Sequence, residues 1–575
     1  MGLRPLRRLR TAVARRRTVR SLHRGVPRIP APPPAAPAPA AADEDLPRGW
    51  FVNPIAEGAD PCVVRDGASY LWVQSVGDRA IVIGRSDRLT SLGERRVVWS
   101  APPDGPFCAE VWAPELVRLD DRWHIYFAAS DGDNRRHRTF VLVADTDDPM
   151  GPYTVHGPLA TGDADGEPQW AIDLTVLEHA GRRYAIWSGW PGPTDPTQHL
   201  YIAAMASPTT LAGPRVRISD AGDHPWERVR ADRPGGLNEA PQVVQHAGRT
   251  FLLYSASHAW HPTYRMGLLE LTGPDPLDAR SWRKHREPVF DPTTATPGVG
   301  HGMIVDTGEG DRSWLVFHRK IDDDTSFRRA IHLEPVAWDP DGWPDLGTPT
   351  PAGLPRPAPA GTPTSTVSGS RSWHFPREPV SRAFDYYGHQ QLVGEDRDGL
   401  HLGVVPEAPV NAYRSGEKVV LRDGDYSDVT VSAMLDLCDG RGAVGLLLRT
   451  TAPAVGPAAQ RGYFLGYDAG AASLVIVRTD GRAAHLLARH PVSDPPAGRF
   501  RLVAVALGDA LTVSLTAADT RPAGTATTLR ARDPHYRSGS IGVRVDDADA
   551  CLTELEVRPI RSGTGPQPTA ENRST

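Results

Sequence analysis

The chain has 575 residues, 40% hydrophobic and 23% charged, with a formal net charge of −5, a composition typical of a globular protein with two or three domains. No apolar run approaches the roughly 18 residues a membrane span needs, so no membrane partner is expected. Nine arginines and no acid fall in residues 1–25, which leaves the rest of the chain acidic; that argues against nucleic acid and suits a neutral polymer such as a polysaccharide.

In chain order, residues 1–48 read as a disordered segment, a basic leader followed by the Pro/Ala spacer "VPRIPAPPPAAPAPAAA". The leader's arginines interrupt every apolar stretch, so it lacks the core of a secretory signal, which favours a cytoplasmic location over a secreted one. An atypical export signal and a start codon assigned too far upstream are the alternatives.

Residues 49–347 repeat one pattern five times. The copies are "ADPCVVRDGASYLWVQS", "APELVRLDDRWHIYFAAS", "IDLTVLEHAGRRYAIWSGW", "GGLNEAPQVVQHAGRTFLLYSAS" and "GHGMIVDTGEGDRSWLVFHRK". Each has a polar opening, a short apolar strand, a turn with Gly or Asp, and an aromatic-rich strand. The aromatics opening the second strands are Tyr70, Trp123, Tyr184, Phe251 and Trp314. A strand-only period of about 60 residues predicts one propeller blade per copy, hence a five-bladed β-propeller. An open stack of hairpins would leave long edges exposed.

Residues 348–370 are rich in Pro, Gly, Thr and Ser and read as a linker. Residues 371–562 switch to short alternating strands without helical period, as in a jelly-roll β-sandwich, and residues 563–575 form a disordered tail. The expected fold is all-β throughout. Tyr386, Tyr387 and Tyr463 are candidates for a sugar platform on the sandwich. The four cysteines permit one disulfide in each domain or isolated thiols, and none has metal-site spacing.

In a propeller the first strand of each blade lines the central channel. Asp60, the Trp112-Ala113 pair, Asp173, Glu239 and His301 open those strands, so three acids and a histidine converge; Glu115, two positions further in, reads as structural. Clustered like charges cost stability and are tolerated mainly for function. Cleaving a glycosidic bond needs a protonated acid at the leaving oxygen and an ionised carboxylate on the opposite face, and a third carboxylate can raise the acid's pKa. Trp112, Trp187, Trp190 and Trp260 near the blade openings are candidates to stack on sugar.

On the motifs "GADPCVV", "VWAPELV", "AIDLTVL", "GLNEAPQVV" and "GVGHGMIV", residues 49–347 resemble glycoside hydrolase family 43. The resemblance implies an inverting glycosidase with Asp60 as general base, Glu239 as general acid and Asp173 tuning and orienting the acid. It implies that His301 is a channel histidine, often linked through water to calcium or another ion; no cofactor is otherwise required. It offers Arg319, after "FH", as an arginine contacting sugar or acid. Gly302-Met303 departs from the Asn-Ser usual after the histidine, which puts ion binding in question. The run "NEAPQVVQHAGRTFLLYSASHAWHPTYRMGLLEL" looks most like the α-L-arabinofuranosidases, implying action on arabinose-containing plant polysaccharide or oligosaccharide from the chain end; the chain is expected to be a monomer. A β-xylosidase or an endo-arabinanase of the same family is the alternative. The ending "RSGSIGVRVDDADACLTELEVRP" resembles concanavalin-like domains. A retaining fructan hydrolase fits less well, since a "NDPNG" opening and any mid-propeller "RDP" are missing. A non-catalytic glycan-binding protein has no need of converging carboxylates.

Overall fold

The computed structural model describes residues 49–163, 167–228, 236–308, 313–321, 328–362, 366–388, 393–403, 415–439, 442–456, 458–496, 498–518 and 526–560. The predicted N-terminal segment 1–48, the whole of the predicted tail 563–575 and part of the linker lie outside them. Among the described residues, helix is confined to short 3-10 turns, and no helix is long and apolar enough to cross a membrane. The chain divides into two compact units, one built mainly from Glu57–Leu354 and the other mainly from Thr362–Thr575.

The first unit is a five-bladed β-propeller. Blades one to four are four-stranded antiparallel sheets whose first strands are Cys62–Asp66, Ala109–Leu119, Ala171–His179 and Asn238–His246. Blade five is built on Val299–Asp306, Ser313–Lys320 and Arg329–Trp338. The chain entering blade one bonds to blade five, Gly58 N–H donating to Arg329 O at 2.9 Å, which closes the ring.

The hairpins form where the sequence alternates and a turn residue tolerates the left-handed region. In blade four, His246 pairs with Arg249 around Ala247 (φ 48°) and Gly248 (φ 77°). Apolar side chains of successive blades interleave: Leu71, Val73, Ile125 and Phe127 join blades one and two, and Leu252, Tyr254, Ile186 and Ile202 join three and four. Trp187 belongs to such an interface. It is fully buried among Tyr126, Val141 and Tyr201, so the expected sugar-stacking role is corrected: its ring packs blade three against blade two.

The second unit is a β-sandwich of two large antiparallel sheets. One contains Gly399–Leu402, Asp549–Pro559, Val429–Asp439, Phe500–Leu507 and Ala510–Ala517 side by side; the other contains Ser415–Leu421, Ser540–Asp546, Ala443–Thr451 and Arg461–Asp468. Inward residues of both, among them Leu435, Leu555, Leu446 and Val543, form one core. Tyr463 lies within it, its hydroxyl donating to Asp533 Oδ1 at 2.8 Å, and Tyr387 is also buried, so neither is the exposed platform expected. The predicted linker contains a strand, Pro355–Pro357, paired with Trp50–Val52 in this unit. Proline is tolerated there because a two-stranded ribbon leaves an outward edge that needs no donor. All four cysteines are free thiols.

Candidate active site

One backbone device recurs at the channel end of every blade. Asp60 (φ 49°), Ala113 (φ 44°), Asp173 (φ 56°), Ala240 (φ 50°) and His301 (φ 47°) all sit in the left-handed region. In blades two to five the ladder slips at this point, between Trp112 and Glu115, Ile172 and Thr175, Glu239 and Gln242, and Gly300 and Met303. Left-handed geometry costs a non-glycine residue about 1–3 kcal/mol, so one such residue at the same place in each of the five blades is strain that the surrounding ring has to hold.

The device also corrects the alignment read from sequence. Asp60, Asp173 and His301 occupy the strained position itself. Glu239 stands one residue before it, where blade two has Trp112 and blade five Gly300. The general-acid candidate therefore presents its side chain differently from the other two carboxylates.

Asp60 is the most heavily partnered of the three. Its Oδ1 is 3.2 Å from Arg329 Nη1, 3.3 Å from His301 Nδ1 and 3.3 Å from His318 Nδ1, and its side chain is 22% exposed. Its backbone N–H donates to His318 Nδ1 at 3.1 Å, so a neutral His318 carries its proton on Nε2. Burial does hold His318 neutral, lowering its pKa to about 3. Burial works against ionisation of Asp60 too, but the Arg329 guanidinium and His301 outweigh it and keep the carboxyl well below the usual carboxylate range.

Glu239 has the opposite environment. It is 8% exposed, and burial raises its pKa to about 7, aided by repulsion from Asp60. The Tyr264 hydroxyl and Arg329 counteract this in part. That hydroxyl is fully buried near Glu239 and Ser255 and reaches neither at full hydrogen-bond geometry. Asp173 is likewise raised to about 7, first by burial and then by repulsion from Glu239 and Asp60, against the pull of His301.

The strand that carries Glu239 is held from both sides. Asp173 Oδ2 accepts the Ala240 N–H at 2.9 Å, joining blade three to blade four. Asn238, fully buried, accepts at its carbonyl from Ser188 Oγ (2.8 Å) and at Oδ1 from Ser219 Oγ (2.7 Å), and its Nδ2 donates to Glu227 Oε1 at 2.9 Å. Glu227 is itself buried, paired with Lys284 Nζ at 2.9 Å and bonded by the Tyr254 hydroxyl. On the neighbouring strand Ser255 lies opposite Glu239 in register, and its Oγ accepts the His301 N–H at 2.7 Å.

Glu115 takes no part in this cluster. Its carboxylate accepts from Gln242 Nε2 at 2.8 Å and Thr175 Oγ1 at 3.2 Å, joining blades two, three and four, in keeping with the structural reading. Trp112 is half-buried, stacked on His137 at 3.9 Å beside the Trp170–Trp190 stack, so one of its faces is already covered.

Arg319 is not in the cluster. Its Nε donates to His332 Nε2 and its Nη1 to Ala295 O, both at 3.1 Å, and the residue is buried. The reason is alternation along Ser313–Lys320: His318 faces Asp60, so the next side chain points to the other face. Arg329, on the neighbouring strand, holds Asp60 instead. Sequence reasoning missed Arg329, Tyr264 and His318; only the "FH" before Arg319 pointed at His318.

Calcium takes 6–8 oxygen ligands. Around His301 the described partners are the Asp60 carboxylate, already paired with Arg329, the Asp173 carboxyl, the Ser255 hydroxyl and the His318 ring. Gly302 has no side-chain donor, and Met303 Sδ accepts the Val63 N–H at 3.0 Å. An ion held there would depend on water for most of its 6–8 oxygen ligands.

Comparison with known proteins gives the site a family. An extracellular exo-α-(1→5)-L-arabinofuranosidase of Streptomyces avermitilis is 33% identical over 320 residues, 53% of this chain and 64% of that protein. An α-L-arabinofuranosidase 43 of Humicola insolens is 33% identical over 319 residues, again 53% and 64%. The chain thus spans 64% of the length of these two relatives. The crystal structure of an α-L-arabinofuranosidase from Lactobacillus brevis is matched with TM-score 0.48 and 31% identity over 52% of this chain and 98% of that one. The family model for glycosyl hydrolases family 43 matches residues 51–344, the whole propeller with its carboxylate cluster, and the chain belongs to that family.

Proposed function

We propose that this protein is an exo-acting α-L-arabinofuranosidase that hydrolyses arabinose-containing plant oligosaccharide or polysaccharide with inversion. The observation that carries the reading is the split between two buried carboxyls of one cluster: Asp60 is kept ionised by Arg329 and His301, while Glu239 is kept protonated towards neutral pH by burial. Two carboxyls with pKa values pushed apart are what an acid–base pair needs. The names of the relatives supply the sugar.

In this mechanism Asp60 takes a proton from a water as the water oxygen bonds to the anomeric carbon. Glu239 gives its proton to the glycosidic oxygen as the carbon–oxygen bond breaks. Asp173 orients Glu239 through Ala240 and opposes its ionisation. Arg329 is a positioning residue that keeps the base charged. Trp112, at the place equivalent to Glu239 in blade two, is the candidate to stack on a sugar ring. The proposed chemistry draws on side chains alone, with no step through a metal.

The C-terminal sandwich we read as a concanavalin-like domain. With Tyr463 in its core and Tyr387 buried in a second apolar cluster, glycan binding through those two rings is not supported.

The test is to incubate the protein with aryl α-L-arabinofuranoside, aryl β-D-xyloside and arabinan, and to follow the first-formed sugar by proton NMR. The reading expects release from the arabinofuranoside with the β-anomer appearing first. Preference for the xyloside, release of internal arabinan fragments or first appearance of the α-anomer would each contradict it.

A further inference from the structure

We propose that His401, Cys438 and Asp549 form a metal site for a divalent transition ion of the zinc class on the outer face of the C-terminal sandwich, independent of the propeller chemistry. Each offers one donor atom, and the three atoms lie within 4.8 Å of one another.

Strand register explains why they meet. Gly399–Leu402, Asp549–Pro559 and Val429–Asp439 are adjacent in one sheet, with Asp549–Pro559 in the middle. His401 stands opposite Cys551, and Asp549 lies two residues from Cys551, so alternation puts both side chains on the same face. Leu400, Leu402, Ala550 and Leu552 point the other way into the core, which makes the His401 face the outer one. Cys438 joins through an irregularity: the ladder runs Leu437 to Ala550 and then Asp439 to Asp549, leaving Cys438 as an extra residue. A bulge of this kind re-aims a side chain and is found next to functional sites. Cys438 is accordingly exposed, and His401 and Asp549 are half-buried.

The donor chemistry selects the ion. Thiolate, imidazole and carboxylate form the mixed S, N, O set that zinc accepts, with bonds of about 2.0–2.3 Å. Calcium and magnesium demand oxygen. A neutral imidazole, a thiolate and a carboxylate carry two negative charges, matching a divalent cation. Binding releases the Cys438 thiol proton to solvent, and water completes a tetrahedron. The bound ion would tie the short strand Gly399–Leu402 to Asp549–Pro559 beside it and to Val429–Asp439 beyond that.

The test uses the full chain, stripped with a chelator and titrated with zinc by calorimetry, then with cobalt by absorption. One zinc per chain is expected, with a thiolate-to-cobalt charge-transfer band in the near ultraviolet. Cys438→Ser should abolish the band. Cys438→Ser and His401→Gln should each weaken zinc by more than the roughly 10–100-fold that losing an outer partner costs. The far-ultraviolet circular dichroism of both metal-free variants should match the parent, which separates ligand loss from misfolding. No zinc binding by the parent, or binding that either substitution leaves unchanged, would overturn the site.

Discussion

Asp173 Oδ2 and the Ala240 N–H are hydrogen-bonded at 2.9 Å, which fixes a blade-three carboxylate to the residue next to Glu239 in blade four. Asp173 therefore acts on the acid both through the backbone and through its charge. Asp173→Asn keeps an oxygen to accept from Ala240 but removes the charge. Asp173 and Glu239 are both raised to about 7 and repel each other, so in the parent ionisation of Asp173 opposes deprotonation of Glu239. The alkaline limb of the rate profile, which reports Glu239, should move to lower pH in Asp173→Asn. Asp173→Ala should add a uniform loss of kcat. An alkaline limb that stays in place in Asp173→Asn would assign Asp173 to positioning alone.

The raised pKa of Glu239 is also a statement about stability. Its usual value is 4.5 and its folded value about 7, so between these pH values the folded chain holds a proton that the unfolded chain releases. Its contribution to stability is thus lost as pH rises through that window. Glu239→Gln should leave Tm unchanged at pH 4 and raise stability by about 1–3 kcal/mol at pH 8. Thermal unfolding at the two pH values checks this, and a destabilised mutant at pH 8 would contradict it.

Arg329 and Arg319 offer a matched comparison on facing strands. Without Arg329, burial of Asp60 is opposed less, so the base should titrate higher. Arg329→Met is expected to bring the acidic limb into the measurable range and lower kcat by roughly 10²-fold or more. Arg319→Met removes bonds to His332 and Ala295 away from Asp60, so it should cost stability and leave both limbs where they are.

Gly300 is needed for its missing side chain. A Cβ there would lie 2.1 Å from Tyr264 Cε1, and Tyr264 stands beside Glu239. Gly300→Ala should displace Tyr264 and reduce kcat more than it raises KM. Circular dichroism should remain that of a folded propeller.

The blades were legible because their aromatic strand openings recur in sequence, and local alternation sets hairpin register. Asp60, Asp173 and His301 were legible for the same reason. The one-residue offset of Glu239 was not: it depends on which residue takes positive φ, and in blade four that is Ala240, whose side chain carries no chemical signal. Arg329 and Tyr264 were hidden because they reach the site across strands and blades. Trp187 misled because an aromatic at a blade opening fills an interface as readily as it stacks on sugar. The sandwich tyrosines misled similarly, since alternation alone does not say which face is the core.

The division of labour between Glu239 and Asp60 is the centre of the account, and leaving-group dependence probes it most directly. A nitrophenolate needs little protonation to depart, whereas a sugar leaving group needs a full proton. The measurement is kcat/KM of Glu239→Ala and Asp60→Ala on nitrophenyl α-L-arabinofuranoside and on an arabino-oligosaccharide. Glu239→Ala should lose about 10²–10⁴-fold on the oligosaccharide and far less on the nitrophenyl substrate, while Asp60→Ala should lose heavily on both. Equal losses by Glu239→Ala on the two substrates, or an Asp60→Ala variant spared on the activated one, would contradict the assignment.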